Sequence, residues 1–149
     1  MKTSSIATTF LAMASAALAA PSSIKRDLQP FELSGLTASL YDQALPEYRI
    51  INFSLKDLNN NAEANCSAAP SSGMSGEHKF ECHNPKYQVN FPSLFHIEDM
   101  KINVSITDSK AFGLGEINGD KWKCEGTGAE YPSKICKWDG VYELPVTLA

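Results

Sequence analysis

Apolar and polar residues alternate with a period of two over most of the chain beyond residue 30. No comparable stretch shows the 3.6-residue period of an amphipathic helix. Such alternation is typical of antiparallel strands that have one face packed and the other in solvent. We therefore expect an all-β protein, a single compact antiparallel domain of the barrel or sandwich type. The alternating apolar positions are Phe31, Leu33, Ala38 and Leu40; Ile51, Phe53 and Leu55; Tyr87, Val89 and Phe91; Met100, Ile102, Val104 and Ile106; and Tyr142, Leu144, Val146 and Leu148.

The pair Asn118-Gly119 predicts a β-hairpin. It fits a type I′ turn, because both central residues of that turn need positive φ. A two-residue loop at this point would pair the strands on either side of it. That pairing would lay the indole of Trp122 over Gly115 and cover the bare glycine backbone.

Other turn-forming residues mark further breaks between the predicted strands. Gly35 is expected to interrupt the first strand, and Asp139-Gly140 is expected to form a turn before the last one. Residues 59–76 are polar and rich in Asn, Ser, Ala and Gly. This composition predicts a long loop.

The first residues have the pattern of a secretory signal peptide. Lys2 supplies the positive charge, and residues 6–20 form an uncharged, alanine-rich stretch. Ala17-Leu18-Ala19 fits the small-residue cleavage rule, so we expect a signal peptide over residues 1–19 that is cleaved after Ala19. The stretch is shorter than the ~20 residues that a membrane-spanning helix needs, which argues against an anchor.

A short pro-segment, residues 20–26, is predicted to end at the dibasic pair Lys25-Arg26. The alternative is an ordinary solvated pair of charges. Cleavage there would leave a single domain over residues 27–149 and change the formal net charge from −4 to −7, since only positive charges are removed. An acidic surface disfavours nucleic acid and anionic membranes as partners. Only Arg49 would remain for phosphate recognition.

Four cysteines follow the signal peptide, and an even count in an oxidising compartment indicates disulfides. A zinc site is the alternative, but the chain has no C-x-x-C pair. We expect no metal ligands among these residues. Pairing of sequence neighbours, one of three connectivities, predicts the bridges Cys66–Cys82 and Cys124–Cys136. Each would contribute ~3 kcal/mol in the chain-entropy model.

Three N-x-S sequons occur in the chain, at Asn52, Asn65 and Asn103. Asn52 and Asn103 lie on the polar phase of their predicted strands, where an attached glycan would stand in solvent. Asn65 directly precedes Cys66, so formation of the disulfide competes with its modification. We expect glycosylation at Asn52 or Asn103; the alternative is unmodified surface asparagine.

No set of residues predicts an enzyme active site, and we expect neither catalysis nor a cofactor. Ser75 lies in a Gly-Met-Ser-Gly sequence, but Glu77 stands where the nucleophile motif G-x-S-x-G needs its last glycine. General acid–base catalysis would need a histidine or a carboxylate pair held in a cleft. The three histidines are all expected at the surface: His78, His83 and His96.

The order of these features resembles the family of fungal secreted proteins typified by the major allergen of Alternaria, the Alt a 1-like family. The resemblance covers essentially the whole predicted mature chain. It is carried by order, cysteine spacing and strand pattern rather than by one motif. The matching stretches are residues 31–39, 51–55, 65–68, 80–82 and 87–91, the cysteines Cys124 and Cys136, and the closing strand over residues 144–148.

This resemblance implies a compact β-barrel-like domain with two local disulfides, made by a fungus and acting outside the cell. Members of the family are allergens, elicitors or effectors perceived by plants, and binders of plant defence proteins of the thaumatin-like class. No catalytic residues come with the family. Some members form a covalent dimer through an extra N-terminal cysteine, but residues 27–65 contain none. We therefore expect no disulfide-linked dimer.

These observations lead to three functional hypotheses. The first is a secreted, non-enzymatic fungal effector, elicitor or allergen-like protein that binds an extracellular host plant protein. The second is a structural or glycan-binding protein of the fungal cell wall or spore surface, with Trp138 as an exposed aromatic residue. The third is a small secreted hydrolase, which would depend on His83 or His96.

Overall fold

The computed structural model describes residues 28–72 and 78–149. The predicted signal peptide and pro-segment, with Ala19, Lys25 and Arg26, lie outside the described residues, as does Ser75. The described residues contain no helix. Their strands are β1 Phe31–Tyr41, β2 Tyr48–Asp57, β3 Ala62–Ala68, β4 Phe80–Glu81, β5 Tyr87–His96, β6 Asp99–Ile106, β7 Ala111–Ile117, β8 Trp122–Gly126, β9 Lys134–Trp138, β10 Tyr142–Leu144 and β11 Val146–Leu148.

The strands form two antiparallel sheets, which confirms the predicted all-β fold. Sheet 1 has the order β3-β2-β1-β9-β8, with β10 also paired to β1. Sheet 2 has the order β11-β7-β6-β5-β4. Neither sheet closes on itself, so the domain is a sandwich rather than a closed barrel. β1 is the central strand of sheet 1: β10 pairs with its first part and β9 with its second part.

The core lies between the sheets and is built from the alternating apolar positions. Leu33 on β1 and Leu55 on β2 are directly opposite each other and almost fully buried. Phe31 meets Tyr87 of the other sheet edge to face, with ring centroids 6.4 Å apart. Burial of each such side chain contributes roughly 1.5–3 kcal/mol. The period-two alternation therefore predicted the buried face correctly.

The hairpin predicted at Asn118-Gly119 is wrong. Gly119 does have positive φ (81°), and its carbonyl accepts a hydrogen bond from the Trp122 amide at 3.0 Å. The strands on either side, however, belong to different sheets: β7 pairs with β6 and β11, whereas β8 pairs with β9. The turn therefore carries the chain from one sheet to the other. Trp122 enters the core and does not cover Gly115.

Close packing beside β7 explains its glycines. A Cβ atom at Gly113 would lie 2.8 Å from the Leu144 side chain, and one at Gly115 would overlap the side chains of Tyr142 and Leu144. Only glycine lets β10 approach β7 this closely. Gly115 is thus covered by Tyr142 and not by Trp122, so the predicted pairing is wrong.

The predicted loop over residues 59–76 is wrong in part, because β3 lies within it and pairs with β2 over seven residues. Its buried positions hold small residues, Ala64, Cys66 and Ala68, which kept its alternation inconspicuous.

The predicted interruption at Gly35 is also wrong. β1 runs through this residue with a register shift against β2 between Ser34 and Thr37, and Gly35 has φ 61°. A bulge keeps the strand continuous where a break was expected.

The last predicted strand is split at Pro145. β10 pairs with β1 in sheet 1, and β11 pairs with β7 in sheet 2. Proline cannot donate a ladder hydrogen bond, which suits the point where the chain changes sheets.

Both predicted disulfides are present. Cys66–Cys82 joins β3 at the edge of sheet 1 to the residue that follows β4 at the edge of sheet 2. Cys124–Cys136 joins directly opposed residues on the neighbouring strands β8 and β9. Two intramolecular disulfides are typical of extracellular proteins.

Candidate functional site

The three histidines are exposed, as predicted: His78, His83 and His96. The imidazole of His78 packs edge to face against Phe80 at 4.8 Å. Nowhere in residues 28–72 and 78–149 do three His, Cys, Asp or Glu side chains come together as a group that could hold a metal ion.

The most deeply buried charged group, Asp57, has a structural role. Its carboxylate accepts hydrogen bonds from the Asn59 and Asn60 amides, from Asn60 Nδ2 at 2.7 Å and from Tyr87 Oη at 2.9 Å. These bonds hold the β2–β3 turn and tie sheet 1 to sheet 2. Burial, followed by the hydrogen bond to Asp57 and its negative charge, raises the pKa of Tyr87 far above its ordinary value. A fully buried carboxylate with four donors is inaccessible to a substrate.

Arg49 is also buried. Its guanidinium donates to the carboxylate of Glu47, and its backbone amide donates to the Pro70 carbonyl at 2.9 Å. With only 8% of its side chain exposed, it cannot serve as a surface receptor for phosphate.

A cluster of three tyrosines lies at one end of sheet 1. Tyr41 and Tyr48 are directly opposed on β1 and β2, and their rings stack with centroids 4.6 Å apart and planes 6° apart. Tyr131 stacks on the ring of Tyr41 at 6.4 Å. The loop that carries Tyr131 is held by the Ser133 amide, which donates to the Leu40 carbonyl at 3.0 Å. We call Tyr41, Tyr48 and Tyr131 the tyrosine cluster.

An exposed leucine and two exposed carboxylates lie close in the chain to members of the tyrosine cluster. Leu45, in the loop that joins β1 to β2, is 99% exposed, and Tyr131 is 48% exposed. Asp42 and Glu130, the chain neighbours of Tyr41 and Tyr131, are both exposed. Aromatic residues are enriched at the centres of protein interfaces. An aromatic surface with an acidic rim is suited to binding a partner that is basic around an apolar centre.

Sequence reasoning missed the tyrosine cluster because its members lie far apart in the chain. Tyr41 and Tyr48 flank a loop, but Tyr131 is more than 80 residues away. The one available signal was that each tyrosine stands at the boundary of a predicted strand or beside a proline.

The glycosylation candidates differ in their surroundings. Asn52 and Asn65 are exposed on the outer face of sheet 1, on neighbouring strands. Asn103 is half-buried in sheet 2, and its Oδ1 is shielded from solvent without a hydrogen bond from the described residues.

A groove of about 650 Å³ opens beside the two exposed sequons. It lies on the outer face of sheet 1 and reaches the bridge Cys66–Cys82. Its lining includes hydroxyl and amide side chains, a carboxylate and an imidazole: Ser34, Asn52, Ser54, Asn65, Ser67, Glu81 and His83. We call this the outer groove.

Trp138, expected at the surface, is half-buried. Its indole packs edge to face on Tyr142 at 4.8 Å, and its Nε1 is shielded from solvent. The expected exposed aromatic platform is therefore absent at this position.

Comparison with known proteins found no match: no family model, no curated protein and no solved structure matches the chain. Within the described residues, no helix is long and apolar enough to cross a membrane.

Proposed function

We propose that this chain is a secreted, non-enzymatic fungal protein that binds an extracellular plant protein and acts as an effector or elicitor. The predicted signal peptide and the resemblance to the Alt a 1-like family support the secreted and host-directed parts of this proposal. Within it, the mature domain begins at Asp27 after cleavage at Lys25-Arg26. The expected partner is a defence protein of the thaumatin-like class.

The observation that carries the proposal is the tyrosine cluster beside Leu45. The almost fully exposed Leu45 contributes nothing to the core of the described residues. Tyrosine and other aromatic anchors supply much of the binding energy of protein interfaces, and truncation of such an anchor costs 2 kcal/mol or more. The acidic rim at Asp42 and Glu130 would favour a basic partner surface and speed association.

The test is a binding measurement with a purified plant thaumatin-like protein immobilised on a sensor surface. The wild-type chain is expected to bind. Tyr131→Ala and Leu45→Ala are each expected to weaken the affinity at least tenfold, because both remove exposed apolar contact area. Leu114→Ala is the matched control: Leu114 is half-exposed, as Tyr131 is, but it lies on the outer face of sheet 2.

A second arm uses leaves infiltrated with the purified protein. We expect a defence response or its suppression with the wild-type chain and a weaker effect with Tyr131→Ala. Equal loss of binding in Leu114→Ala would contradict the assigned surface. Absence of both a plant partner and a leaf response would contradict the function itself.

The glycan-binding hypothesis depended on an exposed aromatic residue at Trp138. Because that indole is half-buried against Tyr142, no specific observation favours this hypothesis over protein binding.

A further inference from the structure

We propose that Asn52 carries an N-linked glycan and that its first N-acetylglucosamine lies in the outer groove. The inference rests on the proposed secretory route, because N-glycosylation occurs there. It goes beyond the proposed function by assigning the modified residue and the place of the sugar on the folded domain.

Burial separates Asn103 from the other two sequons. It is flanked in register by Asn90 on β5 and Leu114 on β7, and its carboxamide oxygen is shielded from solvent. A sugar on Asn103 would have to emerge between these two neighbours, whose side chains lie about 5 Å away on the same face. Asn52, in contrast, is exposed and borders the outer groove.

Asn65 is accessible but less suited to modification than Asn52. It directly precedes Cys66, so formation of the Cys66–Cys82 bridge competes with its modification. In the folded domain its Oδ1 accepts a hydrogen bond from Ser54 Oγ at 2.8 Å. Ser54 is the third residue of the Asn52 sequon, so the two sequons touch. Two glycans on diagonal neighbours would crowd each other, and one glycan fits this face best.

The chemistry of the outer groove suits a neutral sugar. Its volume of about 650 Å³ lies in the range of small-molecule sites. Ser67 is directly opposite Asn52 in the β2–β3 register, and the exposed His83 also lines the groove. The carboxylate of Glu81 also lines the groove. Hydroxyl, amide, imidazole and carboxylate groups can all hydrogen-bond the hydroxyl and acetamido groups of N-acetylglucosamine.

The groove also directs the glycan away from the tyrosine cluster. Tyr48 and Asn52 lie on the same outer face, four residues apart along β2, or about 13 Å. The outer groove extends from Asn52 in the opposite direction, towards Ser54 and the bridge. A sugar held in the groove leaves the tyrosine cluster accessible to a partner. A sugar that moved freely about Asn52 would cover part of the cluster.

The first experiment measures occupancy. The full chain with its own leader is expressed in a secreting yeast, and the protein in the medium is treated with peptide N-glycosidase in ¹⁸O-labelled water before peptide mapping. We expect ¹⁸O-labelled aspartate at position 52 alone. We also expect loss of the glycan mass in Asn52→Gln but not in Asn65→Gln or Asn103→Gln. Occupancy at Asn65 or Asn103 in place of Asn52, or no glycan on secreted protein, would overturn the proposal.

The second experiment tests the groove. Endoglycosidase H leaves one N-acetylglucosamine on the asparagine, and the trimmed protein is compared with Asn52→Gln, which carries none. We expect a higher Tm for the trimmed protein, and we expect Ser67→Ala and His83→Ala to remove that difference. Equal Tm values for the trimmed protein and Asn52→Gln would overturn the placement of the sugar.

Failure of this inference is distinguishable from failure of the proposed function. A chain that is secreted without a glycan and still binds its plant partner refutes only the glycan. A chain that stays in the cell refutes the secretory route on which both proposals rest.

Discussion

Two corners of the sandwich join the sheets by different means. At the bridged corner, Cys66 of β3 is disulfide-bonded to Cys82 beside β4. At the tryptophan corner, Trp122 of β8 is buried and its Nε1 donates to the Ile97 carbonyl, in the turn between β5 and β6, at 2.9 Å. Lys134 of β9 also forms an ion pair with Glu98 in the same turn.

The two corners are held by different means because they bury different amounts of apolar side chain. β4 is only two residues long, and β3 presents alanines and a cysteine to the core. Little apolar area is available there, so a covalent bond supplies what packing cannot. The tryptophan corner buries a large aromatic side chain whose indole nitrogen is hydrogen-bonded. This packing holds the two sheets together there without a covalent link. The second disulfide, Cys124–Cys136, joins strands that a backbone ladder already pairs.

The largest effect is expected at the tryptophan corner. Trp122→Ala should lower the free energy of unfolding by about 3–5 kcal/mol, because it leaves a cavity between the sheets. Urea unfolding monitored by far-UV circular dichroism measures this.

Trp122→Phe is the matched control, since it keeps one aromatic ring in the core and removes the indole donor together with the second ring. It should cost about 1–3 kcal/mol, because the Ile97 carbonyl is left buried without a partner. If both variants lost the same amount, the hydrogen bond rather than packing would hold this corner.

At the bridged corner, the double substitution Cys66→Ala and Cys82→Ala should cost about 3 kcal/mol, because it removes the constraint on a loop of 16 residues in the unfolded chain. Hydrogen exchange should also rise at the His83 amide, which donates to the Asn65 carbonyl at 2.8 Å across this corner. Urea unfolding and native-state hydrogen exchange measure the two effects.

Replacement of Cys124 and Cys136 by alanine is the control for that exchange. The loop is of similar length, with a sequence separation of 12, so the global cost should be close to that at the bridged corner. Exchange across β8 and β9 should nevertheless stay slow, because their ladder persists. Equal local loosening in both variants would contradict the distinction between the two bridges.

The sequence predicted the faces of the strands and the two bridges better than it predicted the partners of each strand. Alternation located β2 and β6 because large apolar residues fill their buried positions, and it missed β3 because Ala64 and Ala68 are small. The residues Asn118-Gly119 encode a local backbone conformation. They carry no information on which sheet receives the next strand.

The candidate binding surface was less predictable than the fold. Tyr131 joins Tyr41 only because β9 pairs with the second half of β1, and that pairing is a long-range contact. The exposure of Leu45 depends in turn on where the β1–β2 loop stands relative to the core. Neither property has a local sequence pattern.

A pH-dependent effect is expected one strand inward from the bridged corner, at the contact between Tyr87 and Asp57. Tyr87→Phe should cost about 1.5–3 kcal/mol near pH 8, because it removes a hydrogen bond to a charged group. The pKa of Tyr87 is raised in the folded protein, so this stabilisation is complete below the ordinary tyrosine value of 10.0 and is lost as the pH rises above it. Urea unfolding at pH 8 and pH 11 measures the change.

The difference between wild type and Tyr87→Phe should therefore be smaller at pH 11 than at pH 8. Tyr131→Phe is the control, because its ring is exposed and its hydroxyl makes no hydrogen bond to the described residues. A difference that stayed constant with pH would show that the Tyr87 hydroxyl does not link ionisation to the contact between the sheets.

The smallest effect is expected at the ion pair of the tryptophan corner. The hydrogen bond from Lys134 and its positive charge lower the pKa of Glu98 below its ordinary value of 4.5. The stabilisation is therefore present above that value and is lost as the pH falls through the lowered pKa. Both side chains are more than a third exposed, so Glu98→Gln should cost only about 0.2–1 kcal/mol at pH 7 and less at pH 2. Urea unfolding at the two pH values, with Glu116→Gln as a control for the exposed pair with Lys101 in sheet 2, measures the effect. If Glu98→Gln lowered the free energy of unfolding as much as Trp122→Phe does, the ion pair would stabilise this corner as strongly as the indole hydrogen bond. The contrast between a packed corner and a bridged one would then no longer hold.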